Sequence, residues 1–587
     1  STDIKTIEVI TSPGARYNAT VKSVIRIKTT RLQGDGLSFR ADNNIKYNTY
    51  VSGFQEDYLK YRHGGFETFL DAYVYSSVYA QDPYISEEIN GTDHILLEQH
   101  IRNKERTNGL YGKWGASYDF DSDNSIGGSY TLSREFYDKG YSLEGTQDVT
   151  KNGNLIGHID QDYTSHGLEG PNHEANAYYL GKLGNMKIDF NLTALWKKDE
   201  GRKQSKEVSS QLQSQTITTH NEQKNHLWAG KLILSYPLWK GTLNVGTELT
   251  STYSFGQYSN DGGVVSNSLT EVKERNTAGF AEYEFAFGNF SANAGLRYEH
   301  VKSNYYEAGI YQSGPSRRYA DWFPSLSLAW QKGEWGVQGS YVCKIARPSY
   351  NWLRNEMQYD NRYFYEGGNP YLRPERVQSV SLSGSYSWLN AEAGYEYTKD
   401  KMLWTATLYN GQDIGVSRNS NFDSYQYLYA SLTASPKFGW YQPTYELNFG
   451  CQHFETKAYS LDKNMNKPTV SFSLRNRFAL PHDFNVYVNL NHNFSSYYGV
   501  NLVKPNTNLS LQLMKQFCHK TWTVNLYVND LLKTSFSNTY TYGNHINLCK
   551  SGYEFSRRLS LTVTYNFNAS QSKYKGKGAG AGEKGRL

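Results

Sequence analysis

The segment Arg558–Phe567 alternates apolar and polar side chains along its whole length. Successive side chains of a β-strand point to opposite faces, so this strand has one apolar face and one face of small polar groups. The same alternation recurs in segments 380–388, 470–475, 484–491, 508–513 and 522–529. A core between two sheets rarely has so uniform a polar partner face. The pattern therefore predicts an all-β fold, a closed transmembrane antiparallel barrel with lipid outside and water and polar side chains inside.

The hydropathy of the chain does not reveal such a barrel. The mean hydropathy is −0.69, and no run approaches the ~18–20 apolar residues of a membrane helix. Half of each barrel strand is polar, so hydropathy detects barrels poorly. The 51 tyrosines are a better indicator, because aromatic rings with a polar tip settle at the level of the lipid headgroups. The alternative reading of this composition is a tyrosine-rich soluble lectin.

Short turns and long polar stretches follow each other along the chain. The ten short turns lie at 63–65, 121–124, 183–184, 238–241, 287–288, 331–334, 388–390, 437–441, 480–483 and 517–520. The long polar stretches include 81–93, 199–223, 258–270, 347–374 and 538–552. Outer-membrane barrels have short periplasmic turns and long extracellular loops. Ten turns plus the chain terminus predict about 22 strands, fewer if 138–166 forms an extracellular hairpin outside the wall.

Several segments resemble a known family. The run IEVITSPGARYNA, which begins at Ile7, and the following VIRIKT resemble the end of the plug domain of TonB-dependent outer-membrane receptors. The ARPS and GGNPYLRPE motifs of 346–376 resemble a loop of receptor barrels, especially the outer-membrane β-barrel family of Bacteroidota. Segment 509–532 and the tail after Phe567 resemble the same family.

The resemblance implies three regions. Residues 1–34 would be the C-terminal remnant of a plug domain, with most of the plug absent. Residues 35–567 would form the transmembrane barrel. Residues 568–587 would form a basic, Gly/Lys-rich periplasmic tail.

The resemblance also implies a function. The protein would be a receptor in the bacterial outer membrane, surrounded by its lipid, that imports a scarce or large nutrient such as a siderophore, cobalamin, an oligosaccharide or a peptide. The TonB–ExbB–ExbD complex would supply energy to the full-length protein, and a surface lipoprotein could cover the barrel as a lid. Two other classes stay open, a passive pore without a plug and a structural or assembly barrel that binds protein partners.

The sequence shows no pattern typical of an enzyme. It lacks HExxH, GxSxG, Walker A and CxxC spacings. The net charge of +5 comes mostly from the tail after Phe567, so nothing indicates a nucleic-acid partner. We therefore expect no enzyme activity, no catalytic residues, no metal site and no cofactor.

Aromatic side chains in the long loops are the candidate substrate-binding groups, because aromatic faces stack on sugars, catecholates and other flat ligands. They are Trp352, Tyr359, Tyr363 and Tyr365 in one loop, and Tyr305, Tyr306 and Tyr311 in another. The alternative is that they belong to the aromatic girdle at the membrane interface.

Charged residues on the polar faces of two strands form a second candidate set. Arg297 and Glu299 share the polar face of one strand, and Arg475 and Arg477 share that of another. We expect all four to face the lumen and to pair with the plug. In an open pore, such arginines would instead favour the passage of anions.

Overall fold

The computed structural model describes residues 4–10, 14–21, 24–29, 35–457, 461, 463–568 and 574–587. Nearly all of this chain is β-strand. The elements are β1 Ile4–Ile10, β2 Val24–Thr29, β3 Gly36–Tyr47, β4 Val51–His63, β5 Phe66–Asn90, β6 His94–Asp119, β7 Ser125–Lys151, β8 Asn154–Leu183, β9 Met186–Val208, β10 Gln215–Leu238, β11 Gly241–Asp261, β12 Ser268–Phe287, β13 Phe290–Glu307, β14 Ile310–Lys332, β15 Trp335–Ala346, β16 Met357–Asn361, β17 Phe364–Gly367, β18 Glu375–Tyr386, β19 Leu389–Leu408, β20 Gly415–Ala434, β21 Tyr441–His453, β22 Thr469–Leu480, β23 Phe484–Asn493, β24 Ser496–Tyr498, β25 Asn501–Val503, β26 Asn506–Phe517, β27 Trp522–Asn529, β28 Phe536–Tyr542, β29 Ile546–Tyr553, β30 Arg558–Phe567 and the helix α1 Ala581–Lys584. No helix among the described residues is long and apolar enough to cross a membrane.

Within the described residues, 22 strands form a closed antiparallel barrel. Their order follows the chain from β3 to β30, and the barrel closes where β3 pairs with β30. In that seam Phe39 lies opposite Phe567, and Tyr47 lies opposite Leu559. The remaining strands lie outside the wall: β1 and β2 form a two-stranded sheet, β16 and β17 form a hairpin, and β24, β25, β28 and β29 extend the connections between wall strands. The predicted fold class and strand number are confirmed.

The ten predicted short turns all join consecutive wall strands at one end of the barrel. Several are tight hairpin turns. Gly184 and Gly288 each follow a strand directly and have φ of 60° and 58°, a backbone conformation that glycine adopts without steric cost. This end is the periplasmic one in outer-membrane barrels.

The wall strands are much longer than a membrane requires. β5, β6, β7 and β8 have 25, 26, 27 and 30 residues, whereas about 9–11 residues cross a bilayer. The stretch 81–93, expected as a loop, is therefore mostly strand, and 138–166 is the tip of the wall hairpin β7–β8. Beyond the membrane both faces of a strand meet polar surroundings, so the alternation fades and the sequence resembles a loop.

Apolar side chains face outward, as the alternation predicted. Leu559 and Leu561 are 46% and 41% exposed, whereas Ser560 between them is 7% exposed. On the inner face the Asn44 side-chain nitrogen donates to the Ser560 and Thr562 hydroxyl oxygens, at 2.9 and 2.7 Å. Exposed outward residues on other strands include Leu70, Val74, Trp114, Leu249, Trp322, Leu326, Val380, Leu382, Leu432 and Leu447. Lipid is the partner that such a surface requires.

Buried apolar residues form several small clusters rather than one core. The cluster with the most buried members joins the outer ends of the wall strands to β17, and contains Ile89, Ile95, Leu97, Val149, Ile159, Phe364, Ala406 and Ile546. The cluster with the most buried members is therefore at the extracellular end, around a loop that folds inward.

The outward face of β30 gives a test of the barrel. Leu561→Arg places a charge on the lipid face near the middle of the membrane, and should lower the free energy of unfolding by about 2–4 kcal/mol. Thr562→Arg faces the lumen and loses a hydrogen bond, which costs about 1 kcal/mol. Folding into lipid vesicles across a urea series measures both. Equal losses would contradict the assigned facing.

Candidate functional site in the barrel lumen

Residues 347–374, here called the inner loop, fold into the barrel between β15 and β18. Tyr350 is 1% exposed, and its hydroxyl donates to Glu274 Oε1 at 3.2 Å. The hairpin β16–β17 follows, and β17 adds to the outer end of β20 in parallel, with Tyr365 opposite Val416. Asn369 N then donates to Trp352 O at 2.6 Å, which ties the two ends of the loop together. The loop is thus an ordered part of the lumen.

The aromatic candidates do not form one binding surface. Tyr359 and Tyr365 are 7% and 4% exposed, with ring centroids 6.0 Å apart. The Tyr359 hydroxyl donates to Glu207 Oε1 at 2.6 Å. Tyr363 is half-buried against the apolar cluster that contains Phe364, and Trp352 is exposed. Of these four residues, Tyr359 lines the cavity described below.

The other aromatic set lies at the β13–β14 hairpin. Tyr305 is buried and packs in one cluster with Tyr350 and Leu353 of the inner loop. The Tyr306 and Tyr311 rings contact each other edge to face, with centroids 5.7 Å apart. A binding role for all seven aromatic residues stays a prediction.

Arg297 and Glu299 lie at the centre of a buried network of charges. Their exposed fractions are 1% and 0%. Arg297 donates to Glu299 Oε1 at 2.5 Å and to Glu248 Oε2 at 2.9 Å. Arg347, at the start of the inner loop, donates to the other Glu299 oxygen. The network links the wall to the inner loop.

Arg475 and Arg477 have different surroundings. Arg475 forms an ion pair with Glu446 on the neighbouring strand. Arg477 donates to Asn485 Oδ1 at 3.0 Å and to Gln442 Oε1 at 3.3 Å. These contacts lie within the wall, and pairing of the two arginines with a plug stays a prediction.

Residues 574–587, here called the C-terminal segment, lie inside the barrel. The expectation of a tail in the periplasm therefore differs from the structure for these residues. The Tyr574 ring lies edge-on to Phe69 and Tyr178 of the wall, with centroids 5.7 and 5.0 Å away. At the other end of the segment, Arg586 O accepts from Tyr350 N at 3.2 Å. The segment thus rises from the periplasmic end to the base of the inner loop.

The positive charges of this segment explain its position. Each of its four basic side chains meets a carboxylate of the wall: Lys575 pairs with Asp119, Lys577 with Asp189, Lys584 with Glu174, and Arg586 with Glu274. Its own carboxylate, Glu583, is 1% exposed and accepts from Asn276 Nδ2 at 3.0 Å. Glu583 Oε1 also lies 3.7 Å from Arg347 Nη1, so the segment joins the buried charge network.

Residues 14–21, here called the N-terminal segment, lie beside the C-terminal segment. Arg16 pairs with Glu284 of β12 at 2.7 Å, and Lys231 Nζ donates to Arg16 O at 2.6 Å. A Cβ added at Gly582 would lie 2.6 Å from Asn18 Oδ1, so the two segments are in close contact. Two separate parts of the chain therefore occupy the lumen together.

A cavity of about 590 Å³, here called the outer cavity, lies in the extracellular half of the barrel. Wall strands and the inner loop both line it. Its lining contains six carboxylates and two lysines: Glu87, Glu105, Asp199, Glu200, Asp360, Glu366, Lys203 and Lys550. Tyr163, Tyr258 and Tyr359 add aromatic surface. No three His, Cys, Asp or Glu side chains of the described chain converge as metal ligands.

Asp360 lies on β16, the first short strand of the inner loop, and faces the cavity, where solvent reaches it. The protein that surrounds it and the nearby carboxylate of Glu366 raise the pKa of Asp360 to about 6. Burial is the larger of these two causes, and the negative charge of Glu366 adds to it. Sequence reasoning missed this cavity, because each lining residue on a wall strand looks like any other lumen-facing polar residue.

The Arg586–Glu274 pair gives a test of the C-terminal segment. Arg586→Ala leaves the buried Glu274 without its cation, which should cost about 3–5 kcal/mol and release the segment. Lys577→Ala is the matched control, because its side chain is 70% exposed and such pairs contribute about 0–1 kcal/mol. Digestion of the folded barrel by a carboxypeptidase measures release. Equal protection of both variants would contradict the assignment.

Comparisons with known proteins agree with this geometry. The model of the outer membrane protein beta-barrel family matches residues 181–565, whereas no curated protein matches the chain. Among solved structures, the FrpB iron transporter from Neisseria meningitidis (F5-1 variant) has a TM-score of 0.62 at 14% identity, over 96% of this chain and 88% of that one. The ferric yersiniabactin uptake receptor FyuA from Yersinia pestis has a TM-score of 0.61 at 13% identity, over 97% and 86%. The copper transporter OprC has a TM-score of 0.65 at 11% identity, over 96% and 85%.

At these identities the solved structures show a shared fold and nothing finer. The family model covers well over half of the chain, and the closed barrel carries the apolar outer face that the family's location requires. This chain belongs to the outer membrane protein beta-barrel family and is a protein of the bacterial outer membrane.

Proposed function

We propose that this chain is a transporter that takes a scarce or large nutrient into the cell by TonB-dependent import. One observation carries the proposal: a ligand-sized cavity lies at the outer end of a lumen that two chain segments occupy further down. A cargo bound in such a cavity needs a rearrangement below it before it can pass. A coupled energy source is one way to drive that rearrangement.

The names of the structural neighbours support this class. The neighbours reported above are an iron transporter, a ferric yersiniabactin uptake receptor and a copper transporter. By the same reasoning the partner would be the TonB–ExbB–ExbD complex, and the N-terminal segment would belong to a plug domain of the kind found in Bacteroidota. A surface lipoprotein lid would sit over the extracellular strand tips. The nutrient would be a siderophore, cobalamin, an oligosaccharide or a peptide.

Genetics gives the first test. A deletion strain is grown on a panel of iron sources, cobalamin, glycans and peptides, beside the wild type and a strain without TonB. We expect slow growth of the deletion strain on one nutrient, and the same defect in the strain without TonB. Growth that needs the chain but not TonB would indicate a passive pore instead. A stable co-purifying protein with no nutrient defect would indicate an assembly role.

Electrical conductance gives the second test. A chain that ends at Gly576 lacks the three basic residues that pair with Asp189, Glu174 and Glu274. We expect its conductance in planar bilayers to rise several-fold over the full chain, because a polar segment has left the lumen. Added peptide of sequence 577–587 should lower the conductance again. Unchanged conductance would show that the segment does not obstruct the lumen.

A further inference from the structure

The outer cavity contains negative charge that the chain itself does not neutralise. Five of its six carboxylates form no ion pair within 4 Å among the described residues; the sixth, Glu200, pairs with Lys198. Four of these five carry the charge: Glu105, Asp199, Asp360 and Glu366. The fifth, Glu87, is 4% exposed and accepts from Asn361 Nδ2 at 2.9 Å, and its burial favours the neutral form. The two lysines of the lining reduce the negative charge but do not balance it.

The lower lumen provides the comparison within the same molecule. There, the wall carboxylates Asp119, Asp189, Glu174 and Glu274 each pair with an ammonium or guanidinium group of the C-terminal segment. Both regions present carboxylates to an enclosed polar space. In the lower region a cation of the chain contacts each of these carboxylates, whereas most carboxylates of the upper region have none within ion-pair distance, so the upper region is complementary to cations that come from outside.

A buried amide in the lining adds a hydrogen-bond acceptor without a donor. Asn103 is 4% exposed and lines the outer cavity. Its side-chain oxygen accepts no hydrogen bond from the described residues. A buried acceptor without a donor costs about 1–3 kcal/mol, so a ligand that carries N–H groups would satisfy it.

The size and the lining exclude two simpler occupants. A volume of about 590 Å³ is far larger than one metal ion and lies in the usual range of small-molecule sites. An anionic ligand would meet like charge on most sides. The rings of Tyr163, Tyr258 and Tyr359 suit an organic cation, because aromatic faces attract ammonium groups.

We propose that the outer cavity binds a small, water-soluble organic molecule that carries several protonated amino groups, such as an amino-sugar oligomer or a polyamine. This inference rests on the proposed function, because it names the cargo class of that transporter. Its carboxylates hold the ammonium groups, the Asn103 oxygen accepts one N–H, and the tyrosine rings cover the carbon framework. A bound cation beside Asp360 and Glu366 also offsets the repulsion between these two carboxylates.

Calorimetry on the purified full chain in detergent, at pH 7 and low salt, tests the proposal. The probes are the trimer of glucosamine, the trimer of N-acetylglucosamine and spermine. The two trimers share one framework and differ in charge, because acetylation removes the protonated amines. We expect the glucosamine trimer or spermine to bind at least tenfold more tightly than the acetylated trimer, and to bind more weakly as salt rises.

Matched variants connect the binding to the cavity. The double variant Glu105→Gln with Asp199→Asn keeps hydrogen-bond acceptors but removes two charges, and should weaken amine binding at least tenfold. Asp162→Asn is the control, because Asp162 is exposed and lies on β8 between Gln161 and Tyr163, which line the cavity. Its amine binding should match the unmodified chain. Binding of spermine without binding of the glucosamine trimer would indicate that the ligand is a flexible polyamine. Binding of the glucosamine trimer without binding of spermine would indicate that the ligand is an amino sugar.

Two results would overturn the inference. One is equal binding of both trimers without spermine binding, which would indicate a sugar site. The other is an absence of amine binding by a folded chain. Binding in detergent needs no TonB, so the two proposals fail separately. Amine binding with TonB-independent growth would reject the transport proposal alone, and TonB-dependent growth without amine binding would reject the cargo class alone.

Discussion

The hydrogen bonding of the backbone in lipid is the constraint on which the rest of this structure depends. Hydrocarbon offers no partner to an N–H or C=O group, so a sheet that crosses it must pair every strand on both sides. The pairing of β3 with β30 meets this demand by joining the first and last strands of the wall. Closure then fixes the facing of every side chain, because alternate residues must point to lipid or to the lumen. The apolar Leu561 and the polar Ser560 follow from this single requirement.

Closure also creates an enclosed polar space, and the chain fills part of it with charge. Buried ions lose hydration and are tolerated when oppositely charged groups and hydrogen bonds surround them. The network of Arg297, Glu299, Arg347 and Glu583 meets that condition by joining the wall, the inner loop and the C-terminal segment. Such networks specify position more than they add stability. They hold the segments in one arrangement beneath the outer cavity, where most carboxylates have no such partner among the described residues.

The sequence predicted the fold more completely than it predicted the residues of the candidate site. Aromatic content in long loops pointed to the inner loop, and Tyr359 does line the cavity, but Trp352 and Tyr311 lie elsewhere with exposed side chains. The basic, glycine-rich end of the chain resembled a solvated tail. No local rule reveals that Asp119, Glu174, Asp189 and Glu274 converge to receive it. These carboxylates are far apart in sequence, and each looks like an ordinary inward polar residue.

The sequence by itself determined the barrel, its 22 strands and its short turns. These depend on two local properties, the period of two along each strand and the turn residues between strands. Only the tertiary structure decided what fills the lumen and where the outer cavity lies. The physical reason is that curvature and register bring residues from distant strands, such as Glu87, Asp199 and Asp360, around one space. That proximity is a property of the closed cylinder, and no single strand contains it.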